Sequence, residues 1–232
     1  MMAMRKANDR GHANHGWLDS YHTFSFGSYH DREHMGVSNL RVINEDTVAP
    51  GGGFAEHGHE DMEIISYVLD GALEHKDSMG NGSVIRPGDV QRMSAGTGVT
   101  HSEYNHSSEQ PVHFLQIWLQ PNVLGVEPGY DQRHFPVEDR RGRWVLLVSP
   151  DGREGSIATH QEAFLYSTLL SADQKLAYQF DSARQGYLHV ARGKLRVGNV
   201  TLQKGDGLKV QKQDSLELIG VEDAEVLLFD LP

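Results

Sequence analysis

The chain contains no cysteine. That absence excludes zinc fingers, iron–sulfur clusters and thiol catalysis, and it leaves nitrogen and oxygen as the only strong donors for any metal. It also suits a reducing cytoplasm, which is the expected location. Long apolar runs are missing too. WVLLV at 144–148 is among the longest, far short of the roughly 20 residues that cross a bilayer as a helix, so no membrane partner is expected. The opening residues, MMAMRKANDRGHANHGW, lack an apolar core of the kind a signal peptide needs. Positive charge is scarce: 21 Lys and Arg stand against 32 Asp and Glu, a net charge of −11. Nucleic-acid backbones need a basic face, so that class of partner is excluded as well. Sustained helical periodicity is also hard to find.

The chain does have 232 residues, enough for two small domains with cores that need no staples. Short alternating or apolar runs recur, among them SNLRVINEDTV (38–48), EIISYVLDG (63–71), VHFLQIWLQP (112–121), YLHVARGKLRVG (187–198) and AEVLLFDLP (224–232). Gly, Pro, Asn and Asp punctuate them, the pattern of an all-β sandwich or barrel. The segment 161–176 reads either as a strand followed by a loop or as a short helical turn. The stretch 122–142 is polar and rich in Pro and Gly, and is expected to link two halves.

Those halves repeat. YVLDGALEH (67–75) followed by RPGDVQRM (86–93) matches HVARGKLRV (189–197) followed by QKGDGLKV (203–210). Each is a strand, a Gly turn, a second strand and a Gly-Asp corner, so two β-barrels are expected, over 1–135 and 136–232. Gly-Asp corners are common turn chemistry, and the repeat alone is only suggestive.

The 14 histidines carry the chemical signal. His57 and His59 stand at i and i+2, which on a strand places both imidazoles on one face. His101 and Glu103 repeat the spacing. Two neighbouring strands bearing these pairs would offer four ligands to one divalent ion. Nitrogen and oxygen donors suit Fe(II), Mn(II), Co(II), Ni(II), Cu(II) or Zn(II) rather than calcium or magnesium. Glu63 shares the period-two face of His57 and His59 on an unbroken strand, so geometry leaves it open as a ligand.

The other histidines read more simply. His12 and His15 could rim a ligand pocket but read more simply as a solvated N-terminal segment; His30 and His34 belong to the surface, His22 to the core and His113 to strand packing. His75 and Asp77 fit an ordinary hairpin arm. Trp17, Phe24, Phe26, Met62, Phe114 and Trp118 could wall a pocket for a flat ligand, although core filling is the default for such residues.

These motifs resemble those of cupins. Gly51, His57, His59, Glu63 and Gly71 follow the first cupin motif with one extra residue before the last Gly. Gly98, His101 and Asn105 follow the second, with Gly96 where Pro is usual. More narrowly, the chain resembles the pirin family and its bacterial quercetin dioxygenases, through RKANDRGHANHGWLDSYHTFSFGSYHD, HGHEDMEIISYVLDGALEHKDSMG, MSAGTGVTHSEYN and the terminal LLFDLP. The resemblance covers nearly the whole chain. It implies two tandem cupin (jelly-roll) barrels and a metal on His57, His59, His101 and Glu103, with Glu63 supporting rather than ligating. It implies one divalent transition metal per chain, Fe(II) first, and a dioxygenase that opens the central ring of flavonols and releases carbon monoxide. In that scheme Glu103 accepts the 3-hydroxyl proton. A different reading from the same family is a metal-containing module that binds a regulatory protein in a redox-dependent way. A sugar isomerase or epimerase fits less well, because the motif flanks are not especially polar. A monomer is expected.

Aligning the halves puts Gln179 and Asp181 where the first has His57 and His59, and Leu218 and Gly220 where it has His101 and Glu103. The second barrel should therefore hold no metal in this way.

Overall fold

The computed structural model describes every residue except Ser182. Contacts divide the chain into two compact units: Gly11–His134 with Thr159–Gln161, and Met1–Arg10 with Phe135–Ala158 and Glu162–Pro232. Each unit contains one seven-stranded and one four-stranded sheet.

In the unit of Gly11–His134 the larger sheet is antiparallel throughout. Its order is Gly129–His134, Asp89–Ser94, Glu63–Asp70, Val112–Leu119, Leu40–Val48, Leu18–His22 and Gly11–Asn14. Glu63–Asp70 and Val112–Leu119 lie in the middle of this sheet and are buried along nearly their whole length, polar Glu63, Ser66 and Gln116 included. The smaller sheet runs Gly53–His59, Val99–Asn105, Leu73–Asp77, Gly82–Ile85. Val99–Asn105 alternates strictly between buried and less buried positions, as a strand with one inward face must.

The other unit repeats this plan. Its four-stranded sheet, Lys175–Gln179, Ser215–Gly220, Lys194–Val197 and Val200–Gln203, follows the same sequence-order pattern as its counterpart. Its interior is apolar. Leu188, Val190, Leu195, Leu202, Leu216 and Leu218 form part of one continuous core, and Leu218 occupies the position aligned with His101. A site that could hold an ion in one barrel is thus filled with hydrocarbon in the other.

Two expectations are corrected. Gly129–His134, inside the stretch read as linker, is an edge strand paired with Asp89–Ser94, and Val137–Arg140 forms one helical turn. Of the two readings left open for 161–176, the strand followed by a loop is the one found, with Phe164–Leu170 a strand in the larger sheet. The division at residue 135 also misses Met1–Arg10. Met2–Arg5 pairs antiparallel with Gly207–Val210 and so covers an otherwise open sheet edge.

Gly96, the departure from the cupin pattern, has φ +48°, and a Cβ there would lie 2.0 Å from the Val126 carbonyl oxygen. Proline, locked near φ −65°, could not take this conformation. No helix among the described residues is long and apolar enough to cross a membrane.

Candidate metal centre

Strand pairing sets the site. Gly53–His59 and Val99–Asn105 run antiparallel with His101 opposite His57, and a register shift follows between His101 and Glu103. The imidazoles of His57, His59 and His101 converge, with ring centroids 4.5–4.9 Å apart, and their nitrogens form one group of potential ligands. Glu103 belongs to an adjoining group that shares His101 and adds His75. The carboxylate of Glu103 is buried and reaches the opposite sheet. Gln116 Nε2 donates to its Oε2 at 2.7 Å, and the Ser66 hydroxyl lies 3.2 Å from its Oε1.

Proton placement decides what the imidazoles can do. His57 Nδ1 lies 2.8 Å from the Ala55 carbonyl oxygen, which can only accept, so Nδ1 carries the proton and Nε2 keeps its lone pair. That Nε2 is 3.1 Å from His101 Nε2. Burial, reinforced by the facing imidazoles, lowers the pKa of His59 to about 4 and that of His101 to about 3. His59 and His101 thus offer lone pairs at neutral pH, and crowded lone pairs repel unless a cation receives them. With metal–nitrogen bonds of about 2.1 Å, the 3.1 Å separation corresponds to an angle of roughly 95° at the ion, close to that of adjacent octahedral ligands. The donor set therefore fits a divalent transition metal.

Glu63 does not orient a ligand imidazole. Asp61 turns the chain through the left-handed region at φ +46°, so the strand carrying His57 and His59 ends and Glu63 opens a strand of the other sheet. There Glu63 Oε2 accepts from Thr159 Oγ1 at 2.7 Å and Ser94 Oγ at 2.9 Å, and Oε1 lies 3.3 Å from His160 Nδ1. It anchors 159–161. A Glu63→Gln variant is accordingly expected to keep the metal stoichiometry of wild type while unfolding at lower denaturant. Loss of the metal from a folded Glu63→Gln protein would reverse the assignment.

A cavity of about 650 Å³ opens beside the imidazoles, with His57, His59 and Glu103 in its wall. Small-molecule sites usually span roughly 300–1,000 Å³. Trp17, Phe26 and Trp118 line it rather than filling the core, together with Phe54. Trp118 stands edge-on to both Phe26 and His59, and Trp17 edge-on to Phe54. Phe24 and Phe114 are instead buried core residues, and Met62 packs on the Ile64 and Met93 cluster. His15 and His22 also line the cavity, His15 as an exposed residue and His22 as a buried one. His12 pairs with Asp19, His34 with Asp31 and His113 with Glu45.

Sequence reasoning missed Asn44 and Asp46, which reach the cavity from Leu40–Val48. Asn44 Oδ1 and Trp118 Nε1 are buried atoms that find no hydrogen-bond partner among the described residues. His75 and Asp77, read as an ordinary hairpin arm, have fully buried side chains.

Comparison with known proteins settles the family. A pirin family profile matches residues 3–119, and one for the quercetinase C-terminal cupin domain matches 146–231. The chain belongs to the pirin family. It is 47% identical to the quercetin 2,3-dioxygenase of Escherichia coli K12, over 100% of this chain and 99% of that one. It is 40% identical to a pirin-like protein of Caulobacter vibrioides, over 99% of each. The crystal structure of the E. coli bacterial pirin YhhW in complex with nickel(II) superimposes with a TM-score of 0.96, at 46% identity, covering 100% of this chain and 99% of that chain. Two tandem cupin barrels are the fold, as the sequence motifs implied.

Proposed function

We propose that this pirin is a dioxygenase that opens the central ring of flavonols such as quercetin, on one divalent transition metal held by His57, His59, His101 and Glu103. The observation that carries the reading is the aromatic-walled cavity ending at Glu103 and the imidazoles. The names of the relatives support the substrate class, and the nickel in YhhW supports the metal. Fe(II) is the first choice of ion, with Ni(II) close behind. Affinity order alone favours copper, so availability decides the loading.

When bound, the ion supplies Lewis acidity that favours the ionised form of a flavonol hydroxyl. The chain's own residues do the rest. Trp17, Phe26, Phe54 and Trp118 hold a flat polyphenol and exclude water. Glu103, its carboxylate aimed by Gln116 and Ser66, takes the proton of the 3-hydroxyl. The electron-rich flavonolate is itself the reductant. Both atoms of dioxygen enter the ring-opened ester and one ring carbon leaves as carbon monoxide, so no external electron donor is required.

The test is aerobic quercetin turnover by protein reconstituted with Fe(II) or Ni(II), beside the same protein stripped with chelator. Loss of flavonol absorbance only in the loaded protein is expected. No turnover from protein carrying one ion per chain would shift the reading to a redox-responsive module that binds a protein.

A further inference from the structure

One buried titratable pair has no part in that scheme. His75 is wholly buried, and Leu73–Asp77 pairs with Val99–Asn105 so that His75 lies opposite Glu103 and Asp77 opposite His101. Three neighbours fix the His75 ring. Tyr130 stacks on it at a centroid distance of 5.0 Å. Asp77 Oδ2 lies 3.1 Å from its Nε2, and His101 Nδ1 lies 3.4 Å from its Nδ1.

Asp77 is held as an acceptor. Its Oδ1 accepts from the backbone N–H groups of Met79 and Asn81, at 3.0 and 2.9 Å, and its Oδ2 accepts from Asn81 Nδ2 at 2.9 Å. A carboxylate so engaged only accepts, so the proton between it and His75 belongs to His75 Nε2. A neutral His75 then has a bare Nδ1, which accepts from His101 Nδ1–H. With its proton placed there, His101 presents the Nε2 lone pair toward His57 Nε2. The direction of each bond follows from the one before, starting at a side chain that cannot donate.

We propose that Asp77 and His75 are positioning residues for the metal centre: together they hold His101 in the Nδ1–H tautomer and orient its ring, so that Nε2 is delivered to the ion. This rests on His101 being a metal ligand through Nε2, and not on the flavonol chemistry. Carboxylate partners of ligating histidines work in the same way elsewhere, and their loss typically lowers metal affinity by about 10–100-fold. Here an additional imidazole is interposed, which lets a carboxylate on the neighbouring strand set a tautomer it does not touch.

The test uses zinc, which is diamagnetic and needs no dioxygen. Long-range proton–nitrogen correlation spectra of the zinc-loaded wild-type protein should show His101 protonated at Nδ1 and zinc-bound at Nε2, and His75 protonated at Nε2 alone. Chelator competition should then show His75→Leu binding zinc about 10–100-fold more weakly than wild type. His75→Gln, whose side-chain carbonyl can accept the His101 proton, should recover most of that loss. A purely structural role would not separate Gln from Leu in this order. His75 protonated at Nδ1 in the zinc-loaded protein would overturn the proposal, and so would His75→Leu binding zinc within twofold of wild type. Protein that binds no zinc would overturn it together with the metal assignment. Zinc bound in the stated tautomers, with no turnover by the iron-loaded enzyme, would sink only the dioxygenase reading. If the variants do not fold, the wild-type spectrum decides.

Discussion

Replacing Glu103 with Gln is expected to lower kcat for quercetin by about 10²–10⁴-fold, the usual contribution of a well-placed general base. The substitution keeps the size of the side chain and a carbonyl oxygen that can still face the ion, so the metal should remain. It also keeps an acceptor for Gln116 Nε2, which reaches Glu103 Oε2 at 2.7 Å. Only the capacity to take the 3-hydroxyl proton is removed. The effect should therefore fall on kcat more than on KM, since the aromatic walls proposed to bind the flavonol are untouched. Metal stoichiometry measured on the same sample checks that the loss is chemical. Turnover within a few-fold of wild type would mean that another group takes the proton.

Asp46→Asn is expected to stabilise the metal-free protein at alkaline pH and to leave it unchanged in acid. Burial pushes the Asp46 carboxyl up from 3.8 to about 7, and the nearby Glu103 and Glu45 charges push the same way, against the opposing Ser20 hydrogen bond. The folded pKa lies above the unfolded one, so the fold favours the neutral form. Between these values the native state binds more protons than the unfolded state, and stability falls as pH rises. The contribution is complete below the unfolded pKa and lost once pH has passed about 7. By linkage, the shift corresponds to roughly 4 kcal/mol at most. Asn keeps an acceptor for Ser20 without the charge. Urea unfolding in chelator at pH 4 and pH 8 should thus show a gap between variant and wild type only at the higher pH. An equal gap at both would place the effect in packing instead.

The barrels and the three histidines were legible because they are written in period two. His57 and His59, or His101 and Glu103, fall on one face of any strand, and the matched Gly-Asp corners announced a second copy of the fold. Elements without that signature were harder. Gly129–His134 is a polar edge strand with no buried stripe. Met2–Arg5 finds its partner near residue 208, a pairing that local sequence cannot encode. Asn44, Glu45 and Asp46 are consecutive buried polar residues, and alternation does not say which of them reach the cavity.

Backbone geometry sets Glu63 apart from the imidazoles that the sequence spaced with it. A left-handed Asp61 moves Glu63 to another sheet, and nothing in the spacing of the histidines reveals that turn. His75 and Asp77 do alternate, but an inward-facing pair and an ordinary hairpin arm look alike until the neighbouring strand is in place. In the second barrel the same architecture without the histidines packs Leu218 into an apolar core.

The most direct measurement is carbon monoxide in the headspace of a quercetin reaction run under ¹⁸O₂, with protein carrying one Fe(II) or Ni(II) per chain. A flavonol dioxygenase built on this centre releases one carbon monoxide for each flavonol consumed and places both labelled oxygen atoms in the ring-opened product. Flavonol loss without carbon monoxide, or no loss from fully loaded protein, would contradict the account.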